Sequence, residues 1–232
     1  AFGDIDNDGF VDLYVCNFTD FNYQEYGPAP SQDSPCKMKG IPIACAPEKY
    51  HGVPDLLYRN NGDGTFTDIS EKAGITRKDP GKGFAVVFSD FDNDGDQDIY
   101  VANDSGPNFY YVNDGRGRFT DASLASGTSV DEFGNTQGSM GLTVGDVNGD
   151  GLPDIFITNF IDQTKTVYFN LGSNLFMDKT TTSGIGMLAF HYSGWGTKFF
   201  DFDNDGWLDL FFTNGHTMEQ LEMAFPMDTF AE

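Results

Sequence analysis

The chain has 232 residues, 36 of them acidic against 13 Lys and Arg, for a net charge of −23. That charge argues against a nucleic-acid partner or an anionic membrane surface, since both need a basic face, while 23 Phe and 10 Tyr argue against a solvated, disordered tail. No apolar run approaches the ~20 residues that span a bilayer, and 28 Gly and 10 Pro among short apolar runs point to many turns and short strands.

The chain opens Ala1-Phe2-Gly3-Asp4 with no initiator Met and is expected to be a piece of a longer protein. The first element is an Asp-rich loop, Asp4-Ile5-Asp6-Asn7-Asp8-Gly9-Phe10-Val11-Asp12. It is followed by an insert over 18–54 that holds six of the 10 prolines, the aromatics Phe18, Phe21, Tyr23, Tyr26 and Tyr50, and Cys36 and Cys45. Next comes a Gly-rich turn, Asn60-Asn61-Gly62-Asp63-Gly64-Thr65-Phe66-Thr67-Asp68. Both patterns then recur. The Asp loop returns with Asp90, Asp92, Asp94, Asp96 and Asp98, then with Asp146, Asn148, Asp150, Leu152 and Asp154, then with Asp201, Asp203, Asp205, Trp207 and Asp209. The turn returns at Asn113–Asp121 and Asn170–Asp178.

The first aspartates of the loops are 86, 56 and 55 residues apart, and the insert accounts for the long first interval. Short apolar runs flank each loop and turn. In the second repeat they are 84–88, 99–101, 109–112 and 118–120. Four strands per repeat of about 56 residues describe a four-stranded antiparallel β-propeller blade, which buries its faces only by stacking on neighbours. The fold class is therefore all-β. The blades are placed at 1–75 (with the insert), 76–130, 131–187 and a partial one at 188–232. Four incomplete blades fall short of a closed ring, so a larger propeller is expected.

An Asp loop with carboxylates at positions 1, 3, 5 and 9 gathers like charges that repel unless a cation neutralises them. Hard oxygen ligands on a flexible loop favour Ca²⁺, about four ions in all, one per loop. Position 7 is Phe10, Asp96, Leu152 or Trp207, a variety that assigns the ligand there to the backbone carbonyl. An EF-hand would need Glu at position 12, where this chain has Val15, Val101, Ile157 and Phe212. The alternative is an acidic turn without metal. The loop with Asn148 is the expected weak site.

These linked motifs resemble the FG-GAP/VCBS repeat of integrin-α-type propellers. The run Cys36…Cys45-Ala46-Pro47-Glu48-Lys49-Tyr50 and Thr213-Asn214-Gly215-His216 are similar to the cartilage acidic protein group, whose members carry a C-terminal ASPIC/UnbV domain and are common among secreted bacterial proteins. The resemblance implies a calcium-loaded propeller, often seven-bladed, used in extracellular, cell-surface or periplasmic interaction and adhesion. Its partner would be a protein or glycan on the loop face. A carbohydrate-binding propeller, or the propeller of a polysaccharide-active enzyme, is the competing reading. No catalytic motif occurs, so no enzyme is expected.

Several residues have ordinary structural roles as their default. Cys16 reads as a buried thiol, and Cys36–Cys45 as a disulfide in an oxidising compartment, with two free thiols as the alternative. Asn17, Asn103, Asn159 and Asn214 each fall 13 residues after a loop's first Asp and read as strand-end hydrogen-bonding residues, although Asn17 and Asn103 also match glycosylation sequons. His51, His191 and His216 are too scattered for a site. Trp195 and Trp207 read as core, with Trp207 the alternative sugar platform.

Overall fold

The computed structural model describes residues 1–22, 36–38, 40–43 and 45–215. The expectations placed on Tyr23, Tyr26, His216 and the segment 216–232 lie outside the described residues. Three sheets carry the repeat. The first contains β1 (Phe2–Gly3), β2 (Asp12–Val15), β5 (Leu56–Asn60) and β6 (Phe66–Asp68), paired in that order. Within the insert, β3 (Lys37–Met38) and β4 (Ile41–Pro42) make a small hairpin. The second blade runs β7 (Gly83–Ser89), β8 (Asp98–Gly106), β9 (Phe109–Asn113) and β10 (Phe119–Asp121). The short β11 (Gln137–Gly138) adds to the far end of β8. The third blade is β12 (Gly141–Gly145), β13 (Asp154–Thr158), β14 (Thr166–Asn170) and β15 (Phe176–Asp178). A final pair, β16 (Ser193–Phe200) and β17 (Asp209–Gly215), begins a fourth. Neighbours within every blade are antiparallel.

Turn chemistry sets these boundaries. Two one-turn helices, α1 (Ser70–Ala73) and α2 (Ser123–Ser126), follow the fourth strands of the first two blades and stop at Gly74 and Gly127, whose φ of 87° and 84° favour glycine. One side-chain relay fixes each corner. The last Asp of the Gly-rich turn accepts the N–H of the next Ser or Thr, as Asp68 does from Ser70, Asp121 from Ser123 and Asp178 from Thr180. That hydroxyl oxygen in turn accepts a strand N–H from Leu57, Tyr110 or Val167, at 2.9–3.1 Å.

The blades bury each other's faces. Ile5, Tyr14, Leu57 and Ile75 of the first pack with Ile99, Val101, Phe109 and Phe119 of the second. Phe91, Tyr100 and Tyr110 meet Ile155, Tyr168 and Phe176 of the third, with Phe91 edge-on to both Tyr110 and Phe176. Phe156 and Val167 meet Phe199 of the fourth. Strand β13 is buried along its whole length because it has a blade on either side. No helix of the described residues is long and apolar enough to cross a membrane.

Candidate metal loops

All four Asp loops share one backbone. Position 4 (Asn7, Asn93, Gly149, Asn204) and position 6 (Gly9, Gly95, Gly151, Gly206) have positive φ in every loop. Asn tolerates that region and Gly has no Cβ to oppose it. The first carboxylate holds the turn closed. Asp4 accepts the N–H groups of Asp8 and Gly9, Asp90 those of Asp94 and Gly95, Asp146 those of Asp150 and Gly151, and Asp201 those of Asp205 and Gly206. The carboxylate at position 5 accepts the N–H at position 7, each at 2.9 Å. The Phe10 N–H in this role lowers the Asp8 carboxyl below its ordinary range.

Carboxylates converge in three of the loops. One oxygen each from Asp4, Asp6 and Asp8 lies within 4.8 Å of the others, and so do oxygens of Asp90, Asp92 and Asp94, and of Asp201, Asp203 and Asp209. In the third loop Asn148 replaces the middle carboxylate and its amide donates to Asp150 at 2.9 Å. At position 3 of the first two loops the same atom, Oδ1 of Asp6 and of Asp92, is buried without a hydrogen-bond partner. An unpaired buried carboxylate oxygen is costly. The donor set of these two loops, hard oxygens around such an atom, fits a Ca²⁺ ion.

Position 9 has a second role that spacing alone did not reveal. Asp12, Asp98 and Asp154 are buried and lie outside the three-carboxylate clusters. One oxygen of each accepts the N–H at position 2 (Ile5, Phe91, Val147), and the other accepts the N–H of the turn Asn (Asn60, Asn113, Asn170). Burial raises all three carboxyls, Asp98 to about 7. Each thus ties loop to turn, and Asp98 Oδ2 also accepts the Tyr110 hydroxyl at 3.0 Å. The side chain at position 7 lies over the same turn, Phe10 against Gly62, Asp96 against Gly115 and Leu152 against Gly172. Its backbone carbonyl is left for the loop.

The turn asparagine is a second missed role. Asn113 Nδ2 donates to Gln97 O of its own loop and to Ile5 O of the preceding blade, both at 2.9 Å. Asn170 Nδ2 does the same to Pro153 O and Phe91 O. Among the described residues Asn60 Nδ2 reaches only its own Val11 O. The signal in the sequence was the fixed Asn at the head of each turn, whose Oδ1 also accepts the N–H of the turn's Gly62, Gly115 or Gly172.

Cys36 and Cys45 form a disulfide with Cα atoms 5.1 Å apart. Cys16 is free and half-buried rather than fully buried, and burial pushes its thiol up to about 12. Asn17, Asn103 and Asn159 donate to Pro54 O, Pro107 O and Thr164 O, and Asn103 is wholly buried, which removes it as a glycan acceptor. His191 pairs with Asp162, away from the loops. Trp195 is half-buried beside Phe84, but Trp207 is 64% exposed and is not core.

The FG-GAP-like repeat pattern matches residues 45–101, 90–157 and 146–212; the second and third matches each run from one Asp loop into the next loop and strand, and the first starts within the insert. This chain belongs to the FG-GAP-like repeat family. Among individual proteins, cartilage acidic protein 1 of Homo sapiens is 31% identical over 180 residues, covering 72% of this chain and 25% of that protein. The Xenopus tropicalis protein of the same name is 30% identical over 179 residues, covering 72% and 26%, and the Mus musculus one 29% over 180, covering 72% and 26%. The chain spans about a quarter of the length of these relatives. A solved structure of an Agrocybe aegerita lectin, described for recognition of non-reducing terminal N-acetylglucosamine, aligns at 21% identity over 67% of this chain and 40% of its own. Its TM-score is 0.39, too low to carry weight in the assignment.

Proposed function

We propose that this chain is an extracellular propeller module in which Ca²⁺ in the Asp loops is structural and an exposed loop face binds a protein or cell-surface ligand. The observation that carries the calcium reading is the pair of buried, unpartnered oxygens on Asp6 and Asp92, each inside a cluster of three carboxylates. The ligand set would be the carboxylates of Asp4, Asp6, Asp8 and Asp12, and their equivalents Asp90, Asp92, Asp94 and Asp98, Asp146, Asn148, Asp150 and Asp154, and Asp201, Asp203, Asp205 and Asp209. The carbonyls of Phe10, Asp96, Leu152 and Trp207 would complete each site. The ion supplies charge neutralisation and polar satisfaction, with no chemical step. The Cys36–Cys45 disulfide supports an oxidising compartment. A glycan ligand is a second reading, favoured by the exposed ring of Trp207.

The test is a thermal melt in calcium and in chelator, with ions counted by native mass spectrometry. A site filled at 100-fold over its Kd adds about 2.7 kcal/mol. The expected outcome is three or four ions and a clear rise in melting temperature. Equal melting in both buffers with no ion retained would overturn the calcium reading. A glycan array on the calcium-loaded chain separates the two classes of ligand.

A further inference from the structure

Three of the four arginines in this acidic chain line a single groove. The groove lies between the first and second blades, beside the first Asp loop, and encloses about 260 Å³. Its charged wall is Arg59, Lys72, Arg116 and Arg118, with Asp6 the one acid. Asp6 is already paired with Arg59 at 2.9 Å. Lys72, Arg116 and Arg118 make no ion pair among the described residues. In a chain with 36 acids and 13 bases, three convergent cations left without a carboxylate are not what random surface placement gives.

The groove between the second and third blades is an internal control. Counting from the turn asparagines, the positions of Arg59, Lys72, Arg116 and Arg118 are there occupied by Val112, Ala125, Ser173 and Leu175. The position of Gly117 is Asn174, whose side chain fills the space. Its Nδ2 donates to Asp92 at 2.8 Å and its Oδ1 accepts from the Tyr110 hydroxyl. Gly117 and Asn174 share the same backbone, with φ of 70° and 61°. One groove is thus plugged and has no cation at these positions, and the other is open and cationic.

The geometry points to an oxyanion-binding site in the first groove, taking one sulfate, phosphate or carboxylate group, free or on a small molecule. Arginine forks match such groups in a bidentate way, and a lysine adds a point charge. A long polyanion does not fit, because each further charge would meet a surface of net −23. The site stands whether or not the Asp loops take calcium, since Lys72, Arg116 and Arg118 do not touch loop carboxylates.

The test titrates the chain with sodium sulfate, phosphate and acetate at ionic strength held constant with sodium chloride, read by calorimetry or by chemical shifts of arginine side chains. Saturable binding of one anion per chain is expected. The double variant R116S/R118L, which installs the third blade's own residues, should weaken it at least about tenfold. G117N keeps every charge and installs the plug, and should weaken it by a similar factor; it also serves if the double variant fails to fold. The control K179S/K198S removes the same charge outside the groove and should change affinity by less than about twofold. No saturable binding, equal weakening by the control pair, or unchanged affinity in G117N would each overturn the site. A heparin fragment binding more tightly than sulfate would overturn the single-group reading, and sulfate, phosphate or acetate preference identifies which oxyanion the groove takes.

Discussion

Lys165 is the most exceptional residue of the core. It is fully buried, and its Nζ donates to Asn159 O at 3.1 Å and Tyr192 O at 2.9 Å, clamping the 185–192 segment to the strand β14. Burial outweighs the two carbonyl contacts and lowers the ammonium from 10.5 to about 8. The folded pKa lies below the unfolded one, so between pH 8 and 10.5 the unfolded chain binds more protons. Stability contributed by this residue therefore rises with pH across that window, by up to about 3 kcal/mol at 1.36 kcal/mol per unit. The comparison is with Lys165→Met, so that every other group's contribution cancels in the difference. Wild type should gain stability on the variant from pH 8 to 10.5 in denaturant titrations. A difference that stays flat would show that Lys165 is solvated in the folded chain, and one that shrinks would show that the fold stabilises its ammonium.

At the scale of the element, the unit of organisation is the corner where an Asp loop meets a Gly-rich turn. Removing the Asn113 amide leaves Ile5 O and Gln97 O without a donor, one of them in the neighbouring blade. Asn113→Ala should cost about 2–4 kcal/mol, and Asn60→Ala, whose amide serves one exposed carbonyl, about 1 kcal/mol. Equal losses in equilibrium unfolding would remove the interblade role. Much of this architecture was legible from residues. The 84–88, 99–101, 109–112 and 118–120 runs became β7 to β10 with shifts at their ends, because apolar runs and Gly or Asn markers are local signals. The one-turn helices α1 and α2 and the two-residue β11 were not legible, being too short to show a period. Loop carboxylates could be read from spacing, but the cationic groove could not. Arg59 and Arg118 come from different blades, and only stacking brings them together.

At the scale of the whole molecule, stability is set by how many blades cover each sheet, since a repeat array gains its burial from nearest neighbours. Equivalent residues show the gradient. Phe91 in the second loop is 0% exposed because Phe176 of the next blade packs on it, whereas Phe202 at the same position of the fourth loop is 75% exposed. Strand β13 is buried throughout, while β17 exposes Phe211 and has no buried position. Opening β16 and β17 therefore uncovers only the face against the third blade, where Phe199 meets Phe156. Opening β13 uncovers two apolar clusters at once. Local opening free energies follow that burial, from near zero at an uncovered edge to the global value in the middle. In hydrogen exchange of this chain, amides of β8 and β13 should exchange at least about tenfold more slowly than those of β17, with β5 between them. Calcium should slow β17 as well, through the cluster of Asp201, Asp203 and Asp209 at its entrance, without reversing the order. Uniform protection across all four blades would mean that the array opens as a single cooperative unit, and that the stacking interfaces are stronger than the blades they join.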